Sequence, residues 1–386
     1  ATMKYPDDHW SHITSSNGLG EIADASGYDK GFGYNLTFWE KKGYIFADVN
    51  FVYPNSPAAK AGLKRGDLIT HMNGERMTTD NYTDLYYASQ LTLGLSNDET
   101  SEPYETKTLT AQTYAIDPVL DYGLIPLEHL TIGYMIYTDF VFRGNASLAQ
   151  LNHVFQTLKA ANIDEFILDL RYNQGGYIFA VKQLCSLLAP EEVVENEELL
   201  IHKRWNKAYQ ERYANDPDRL EEHFDKSVPL DSRLNLKRLW VITSHVTASA
   251  SEMLISALSP YMKVNVVGDL TMGKNMGGII YTPNDKDLQN WNIMLISTEY
   301  SNSREESVKG GIPPMFPILE QFHHQHQLGD QEEPLLAATL QLITQDTIAT
   351  PVMNRRSSRS LGTDAPRRII PEFVQAKSRL LLGIEN

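Results

Sequence analysis

Ser249 and Lys274 are the two side chains of this chain whose types and settings could do chemistry together. Ser249 stands in Thr247-Ala248-Ser249-Ala250-Ser251-Glu252, which follows the apolar run Leu239-Trp240-Val241-Ile242 and opens a helical pattern. Lys274 follows Gly273 in a glycine loop after the next predicted strand. A serine hydroxyl attacks a carbonyl only when a base takes its proton. A lysine is such a base only as the neutral amine, so its pKa must be lowered by burial or nearby positive charge. A serine where a strand turns into a helix, with a lysine returning from the next strand, is the layout of a serine–lysine nucleophile and of hydrolytic chemistry. The plainer role for Ser249 is to cap the helix it precedes. Three features favour the nucleophile. Ala248 and Ala250 leave room for a substrate carbonyl. The amide of Ala250, with the helix dipole behind it, points to where an oxyanion would form. A strand-to-helix turn also presents its hydroxyl at the carboxyl edge of the sheet, where open α/β sheets bind ligands.

A third segment, Leu168-Asp169-Leu170-Arg171-Tyr172-Asn173-Gln174-Gly175-Gly176, ends in paired glycines after a strand. Such a pair can expose a backbone amide as a second oxyanion donor, or simply make a tight turn. Asp169 and Arg171 are expected to pair and brace the loop. Around Lys274, Gly268 to Lys274 matches most of a phosphate-binding P-loop. The next residue is Asn275, however, so the magnesium ligand is missing, and the segment leads into a strand instead of a helix. His245 is an alternative base four residues before Ser249. His323, His324 and His326 form a cluster without a matching Cys or carboxylate spacing, which reads as a solvated loop more readily than a metal site.

The elements that must position these residues follow from periodicity. Tyr34–Trp39 and Tyr44–Asn50 read as paired strands. Ser56 can cap a one-turn helix with Pro57 at its first position, and Gly62 can take the left-handed exit. Leu68–Met72 reads as a strand ending in the hairpin turn Asn73-Gly74. Asp80 can cap a helix running to about Leu91, and Gly94–Thr106 reads as an exposed acidic excursion before a strand near Thr108–Gln112. From Ile116 onward strands alternate with helices: Thr131–Thr138, Ser147–Ala160, Glu165–Leu170, Ile178–Leu188, Leu239–Thr243, Ala250–Leu258 and Val264–Gly268. This alternation predicts a mixed α/β fold with crossover helices. Gly277–Thr282 and Asn292–Thr298 read as an antiparallel extension, and Glu332–Thr344 as a closing helix. The stretch from Glu191 to Arg212 reads as an excursion above the sheet.

Composition narrows the partners. A formal net charge of −15 argues against nucleic acid as the main partner. No run of apolar residues is long enough for a transmembrane helix. Cys185 is the single cysteine, so no intramolecular disulfide can form, and its apolar surroundings predict a buried thiol. From Asp346 the chain changes character, with seven basic against four acidic side chains. Such a tail could be a flexible arm or fold onto the acidic body.

In their order along the chain these segments resemble the C-terminal processing peptidases, or tail-specific proteases. Asp169–Gly176 is similar to that family's D-L-R-x-N-x-G-G segment, Thr247–Glu252 to its S-A-S-A-S-E segment, and Gly273-Lys274 to its F-G-K segment. Ser56–Ile69 resembles a PDZ domain, and Asp8-His9-Trp10-Ser11 the short segment preceding it. The resemblance implies a PDZ domain joined to a mixed-sheet α/β protease core of the ClpP/crotonase-like type. It implies Ser249 as nucleophile, Lys274 as general base, and the amides of Ala250 and of Gly175 or Gly176 as oxyanion donors. Gly31-Phe32-Gly33-Tyr34 would be the peptide-binding PDZ loop. The implied layout is an N-terminal segment 1–28, a PDZ domain 29–114, a protease core 115–345 and a basic tail 346–386. The implied activity is endopeptidase cleavage of flexible segments near protein C-termini, with no cofactor or metal, outside the cytoplasm of a bacterium in the periplasm or envelope. Departures from the family pattern are Gly278 where a glutamine is common, Thr247 in place of the first serine, and little helical sequence ahead of the PDZ. They keep open a second reading, a weak or inactive peptide-binding protein that retains the fold.

Overall fold

The computed structural model describes residues 11–15, 27–141, 144–281, 291–321, 323–324, 326–346 and 367–369. Asp8, His9 and Trp10 lie outside the described residues, as does most of the basic tail. The described residues divide into two compact units, one holding 117–319 with the N-terminal residues through 27, the other holding 28–116 with 320–346 and 367–369.

The first unit is built on a six-stranded sheet. Its order is Val119–Pro126, Thr131–Tyr137, Glu165–Asp169, Arg238–Thr243, Lys263–Gly268 and Phe316–Pro317. The first pair is an antiparallel hairpin and the remaining pairings are parallel. Parallel neighbours need crossovers, and the helices Asn145–Ala160, Ile178–Leu188 and Ala250–Leu258 supply them. On one face every second strand residue meets those helices. Met135, Tyr137, Phe166, Leu168, Leu239, Val241 and Val266 pack with Leu151, Phe155, Leu184, Cys185, Met253 and Leu254 in one core. The alternate residues Tyr134, Ile136, Ile167, Trp240, Ile242 and Val267 are also buried. These strands are therefore covered on both faces, which is why they read as near-continuous apolar runs. Burial pushes the Cys185 thiol far above its ordinary range.

A second sheet in this unit joins His12–Ser15, Trp291–Asn302, Leu199–Trp205 and Glu221–His223, with Met276–Tyr281 also paired to Trp291–Asn302. The stretch expected to be an excursion is thus structural. Ile201 to Trp205 pair with Asn302 to Thr298, and Leu200 and Ile201 have no exposed surface. Its mixed charge suggests a solvated face, but the charged heads are satisfied in place: Lys203 is buried with its amine 2.7 Å from Glu222 Oε1.

The second unit is an antiparallel sheet in the order Arg367–Ile369, Tyr34–Lys41, Tyr44–Val52, Leu68–Met72, Gln90–Ser96 and Glu105–Thr110. Ser56 caps the one-turn helix Pro57–Lys60 by accepting from the Ala59 amide at 3.2 Å, and Gly62 exits at φ 73°. The helix expected from Asp80 to Leu91 shrinks to Asp84–Tyr87. Leu91, Leu93 and Leu95 alternate into the core as part of a strand, so the residues Gly94 to Ser96 are buried and not an excursion. The helix Pro334–Asp346, expected to close the catalytic core, groups instead with this unit. The reason is long-range and ionic. Buried Arg65 donates to His326 O at 3.0 Å and to Glu320 Oε1 at 3.1 Å, and its Nη2 lies 3.6 Å from Glu333 Oε1.

Candidate active site

Three turns of the first unit converge at the carboxyl ends of its parallel strands. The first carries Ser249 between the strand Arg238–Thr243 and the helix Ala250–Leu258. Ser249 has φ 62° and ψ −118°, a backbone state that a residue with a side chain adopts at a cost of about 1–3 kcal/mol. Tertiary bonds hold it there. The Ala248 amide donates to Asn173 O at 3.2 Å, the Ser251 hydroxyl donates to the same carbonyl at 3.1 Å, and the Thr247 hydroxyl donates to Leu170 O at 2.9 Å. Thr247, a departure from the family pattern, is thus a working part of the turn. The Ser249 side chain is fully buried and stands in a capping box with Glu252, yet among the described residues its Oγ meets no partner at hydrogen-bond geometry. A buried hydroxyl left unpaired forgoes a bond that nearly all such groups make.

The second turn follows Glu165–Asp169. Asp169 and Arg171 are both about 1 % exposed and pair through Nη2 and Oδ2 at 2.7 Å, and the Tyr134 hydroxyl also donates to Asp169 Oδ2 at 2.8 Å. Asn173, to which sequence reading gave no role, shapes the glycines. Its Nδ2 donates to Tyr137 O and its Oδ1 accepts from the Gly175 amide, both at 2.8 Å. The Gly175 amide is thereby engaged by Asn173. Gly175 itself faces the serine: at φ 108°, a Cβ there would sit 2.7 Å from Ser249 Oγ. Gly176, at φ 146°, lies against Phe140.

The third turn carries Lys274, which is 1 % exposed. Gly273 at φ 84° packs so closely on Gly310 and Gly311 that a Cβ would fall 2.5 Å from the Gly311 nitrogen. The loop is tied to the serine turn through one residue. Glu252 Oε2 accepts from the amides of Ser249 at 2.7 Å and Lys274 at 2.8 Å. Its Oε1 accepts from the Gly273 amide at 2.6 Å and the Thr271 hydroxyl at 2.5 Å. The Met272 amide adds a bond to Thr247 O at 3.0 Å. Burial pushes the Glu252 carboxyl above its ordinary range, against the opposing pull of these four donors. The serine-to-glutamate spacing of three was a visible capping signature, but its reach to the lysine loop was not.

Gly278, where the family often has glutamine, sits in the strand Met276–Tyr281 at a register shift. A Cβ there would lie 2.5 Å from Leu295 O, so the backbone packing excludes any side chain. At Gly277 the space is taken by Tyr300, whose hydroxyl would be 2.3 Å from a Cβ. Beside this loop lies a cavity of about 1010 Å³ bordered by Asn275, Tyr300, Trp205 and Lys203. His245, the alternative base, has Nδ1 3.9 Å from Asp269 Oδ2.

In the second unit, Gly31 to Tyr34 form the turn ahead of the strand Tyr34–Lys41. Phe32 O accepts from the Ala58 amide and Gly33 O from the Tyr53 amide, each at 2.8 Å. Gly33 has φ 78° and lies against Ser56. The histidine cluster is bonded, not simply solvated. His324 Nε2 is 3.0 Å from Asn50 Oδ1, and the His323 amide donates to Asp48 Oδ2 at 3.0 Å. His326, Asp330 and Glu332 bring ligand atoms within 4.8 Å of one another, two of them on exposed acids.

The stretch that holds these turns is similar to known proteins. A model of peptidase family S41 matches residues 131–317, and a PDZ-domain model matches residues 49–91. The carboxyl-terminal-processing protease of Synechocystis is 25% identical over 227 residues, 57% of this chain and 48% of that protein. The chloroplastic carboxyl-terminal-processing peptidase 2 of Arabidopsis thaliana is 27% identical over 282 residues, 70% of this chain and 49% of that protein. The chain thus spans about half the length of these curated relatives. A Bacteroides fragilis crystal structure assigned to the S41 proteases superposes with a TM-score of 0.72 at 25% identity, covering 89% of this chain and 88% of that one.

Proposed function

Residues 131–317 match peptidase family S41 and residues 49–91 a PDZ domain, and from that premise we propose that the chain is a serine endopeptidase with a Ser249–Lys274 dyad, cutting flexible protein segments near their C-termini. The observation that carries this reading is Ser249 itself. Its buried hydroxyl is unpartnered, held at a strained backbone angle, and faced by a glycine that leaves it room.

The chemistry proceeds in two halves. Lys274, neutral, takes the Ser249 proton as Oγ bonds to the scissile carbonyl carbon. The carbonyl oxygen becomes an oxyanion, received by the amide of Ala250 at the helix N-terminus and by a glycine amide of the Gly175-Gly176 pair. With the Gly175 amide engaged by Asn173, Gly176 is the donor left to that pair. The carbon–nitrogen bond then breaks, and Lys274 returns its proton to the leaving amine. Water, deprotonated by Lys274, releases the acyl group from Ser249 and restores the hydroxyl. The PDZ domain recruits the substrate tail by adding it as a strand beside the Gly31–Tyr34 turn. The work is done outside the cytoplasm.

An unstructured peptide incubated with wild type, Ser249→Ala and Lys274→Ala tests the reading. Cleavage by wild type alone supports it. If all three are inert while tail peptides bind, the chain is a binding protein on a peptidase fold, the reading that Gly278 keeps open. Cleavage of small esters without peptides would point to a different hydrolase.

A further inference from the structure

The chain's own tail supplies a strand to the unit that holds the PDZ domain. Arg367–Ile369 runs antiparallel to Tyr34–Lys41, with Arg367 opposite Glu40, Arg368 opposite Trp39 and Ile369 opposite Phe38. Among the described residues the other neighbour of Tyr34–Lys41 is Tyr44–Val52, so without the tail Tyr34–Lys41 is the edge of its sheet as described. An edge strand offers a row of amides and carbonyls that one more strand can satisfy. This is also the strand that leads out of the Gly31–Tyr34 turn, the edge to which peptide recruitment was assigned above.

The side chains fit the tail to that edge. Arg367 Nε lies 3.6 Å from Glu40 Oε2. The Arg368 guanidinium lies 5.8 Å from the centre of the Trp39 ring, and its Nη2 donates to Thr37 Oγ1 at 3.4 Å. An acid and an aromatic face in succession on one strand select cations in an extended segment. Three paired residues are too few to lock the edge for good, since exposed ion pairs are worth about 0–1 kcal/mol each. Covalent attachment offsets this weakness by giving the segment an effective concentration on the order of millimolar.

We propose that the outer edge of Tyr34–Lys41 is a docking site for extended basic peptide segments, and that Arg367–Ile369 holds it as an intramolecular competitor which an incoming tail displaces. The proposal rests on the assignment of peptide recruitment to this edge, but not on catalysis.

The test uses the full chain with Ser249→Ala, so that nothing is cut. A fluorescein-labelled peptide of residues 362–375 is titrated by anisotropy against this protein and against the same protein carrying Arg367→Glu and Arg368→Glu. The expected result is about tenfold tighter binding to the charge-reversed chain, because its own strand no longer competes. Adding Glu40→Lys to that chain should remove the gain, and a labelled peptide with both arginines replaced by glutamate should not bind. Circular dichroism confirms that each variant is folded. Equal affinity for natural and charge-reversed chains overturns the proposal, as does binding indifferent to Glu40→Lys. A chain that shows the tenfold gain yet cleaves no peptide when Ser249 is restored would sink the peptidase reading alone. One that cleaves peptides but shows no gain would sink only the competitor.

Discussion

Ser249 and Lys274 donate their backbone amides to the same atom, Glu252 Oε2, at 2.7 and 2.8 Å. One carboxylate therefore fixes the spacing of the two turns that carry Ser249 and Lys274, the proposed nucleophile and base. Glu252 lies one helical turn after Ser249 and has no exposed surface. Its position is set by the helix, and the lysine loop is hung from it.

The first prediction is that Glu252→Gln lowers peptidase activity by about 10²-fold, because a misplacement of roughly 1 Å between reacting groups costs that much. A carboxamide has one acceptor oxygen, so either the two amides on Oε2 or the Gly273 amide and Thr271 hydroxyl on Oε1 lose their acceptor, at about 1–3 kcal/mol for each buried donor left unpaired. The loss should fall on kcat, and the melting temperature should drop as well. Unchanged kcat with intact folding would mean that the shared carboxylate does not set the geometry. The sign of the pH effect follows from burial. The folded chain holds the Glu252 proton more tightly than the unfolded chain does. Its contribution to stability is therefore full below the ordinary carboxylate range and declines as pH rises through the raised value. A thermal unfolding series against pH should show that decline in the wild type and lose it in Glu252→Gln.

Gly175 carries the second prediction. A methyl group there would meet Ser249 Oγ at 2.7 Å and Ala248 O at 3.0 Å, at a φ of 108° that side chains avoid. Gly175→Ala should abolish measurable turnover and cost about 1–3 kcal/mol of stability. Gly123→Ala is the control, since its Cβ would meet nothing within 4 Å. Comparable loss in both variants would remove Gly175 from the site.

The parts of this architecture that depend on local pattern were legible before the fold was known. Ile178–Leu188 and Ala250–Leu258 were bounded to the residue because an apolar face repeats at the helical period and small or turn-forming residues flank it. The turn Ser56-Pro57 and the left-handed Gly62 were written in residue types that tolerate little else. What escaped notice depends on partners far away in sequence. Leu91 looked like the end of a helix capped by Asp80, and Leu95 like part of an exposed acidic excursion, yet Leu91, Leu93 and Leu95 alternate into a sheet. Glu332–Thr344 looked like a helix closing the core 115–345, yet it groups with the other unit, where Arg65 pairs with Glu320 and Glu333. Glu252 stands three residues after Ser249, a capping-box spacing, but that its second oxygen serves Thr271 and Gly273 required the fold.

Lys274 gives the third prediction, in pH. If its neutral amine is the base, kcat/KM rises with pH until the amine is fully deprotonated, a limit near 10.4 for an unperturbed lysine and lower for a buried one. Lys274→Arg should be inactive throughout, by about 10²–10⁴-fold, because a guanidinium does not release its proton in this range. A profile flat between pH 6 and about 10 would rule out lysine as the base.

The fourth prediction separates bracing from chemistry. Asp169 and Arg171 pair at 2.7 Å with neither side chain more than about 1 % exposed. Removing one member leaves the other charged and buried, which costs about 3–5 kcal/mol. Replacing both by apolar residues of similar volume avoids that penalty, since buried pairs are offset by the cost of dehydrating them. Asp169→Asn and Arg171→Met should therefore each lower the melting temperature sharply, while Asp169→Leu/Arg171→Met recovers much of it. The double variant should still lose turnover, because the Arg171 carbonyl and the Leu170 carbonyl beside it accept from the hydroxyls of Ser244 and Thr247, which set the serine turn. A double variant that regained stability and full activity together would show that the pair only holds the chain folded. One that regained stability but stayed inactive would place the pair in the alignment of Ser249.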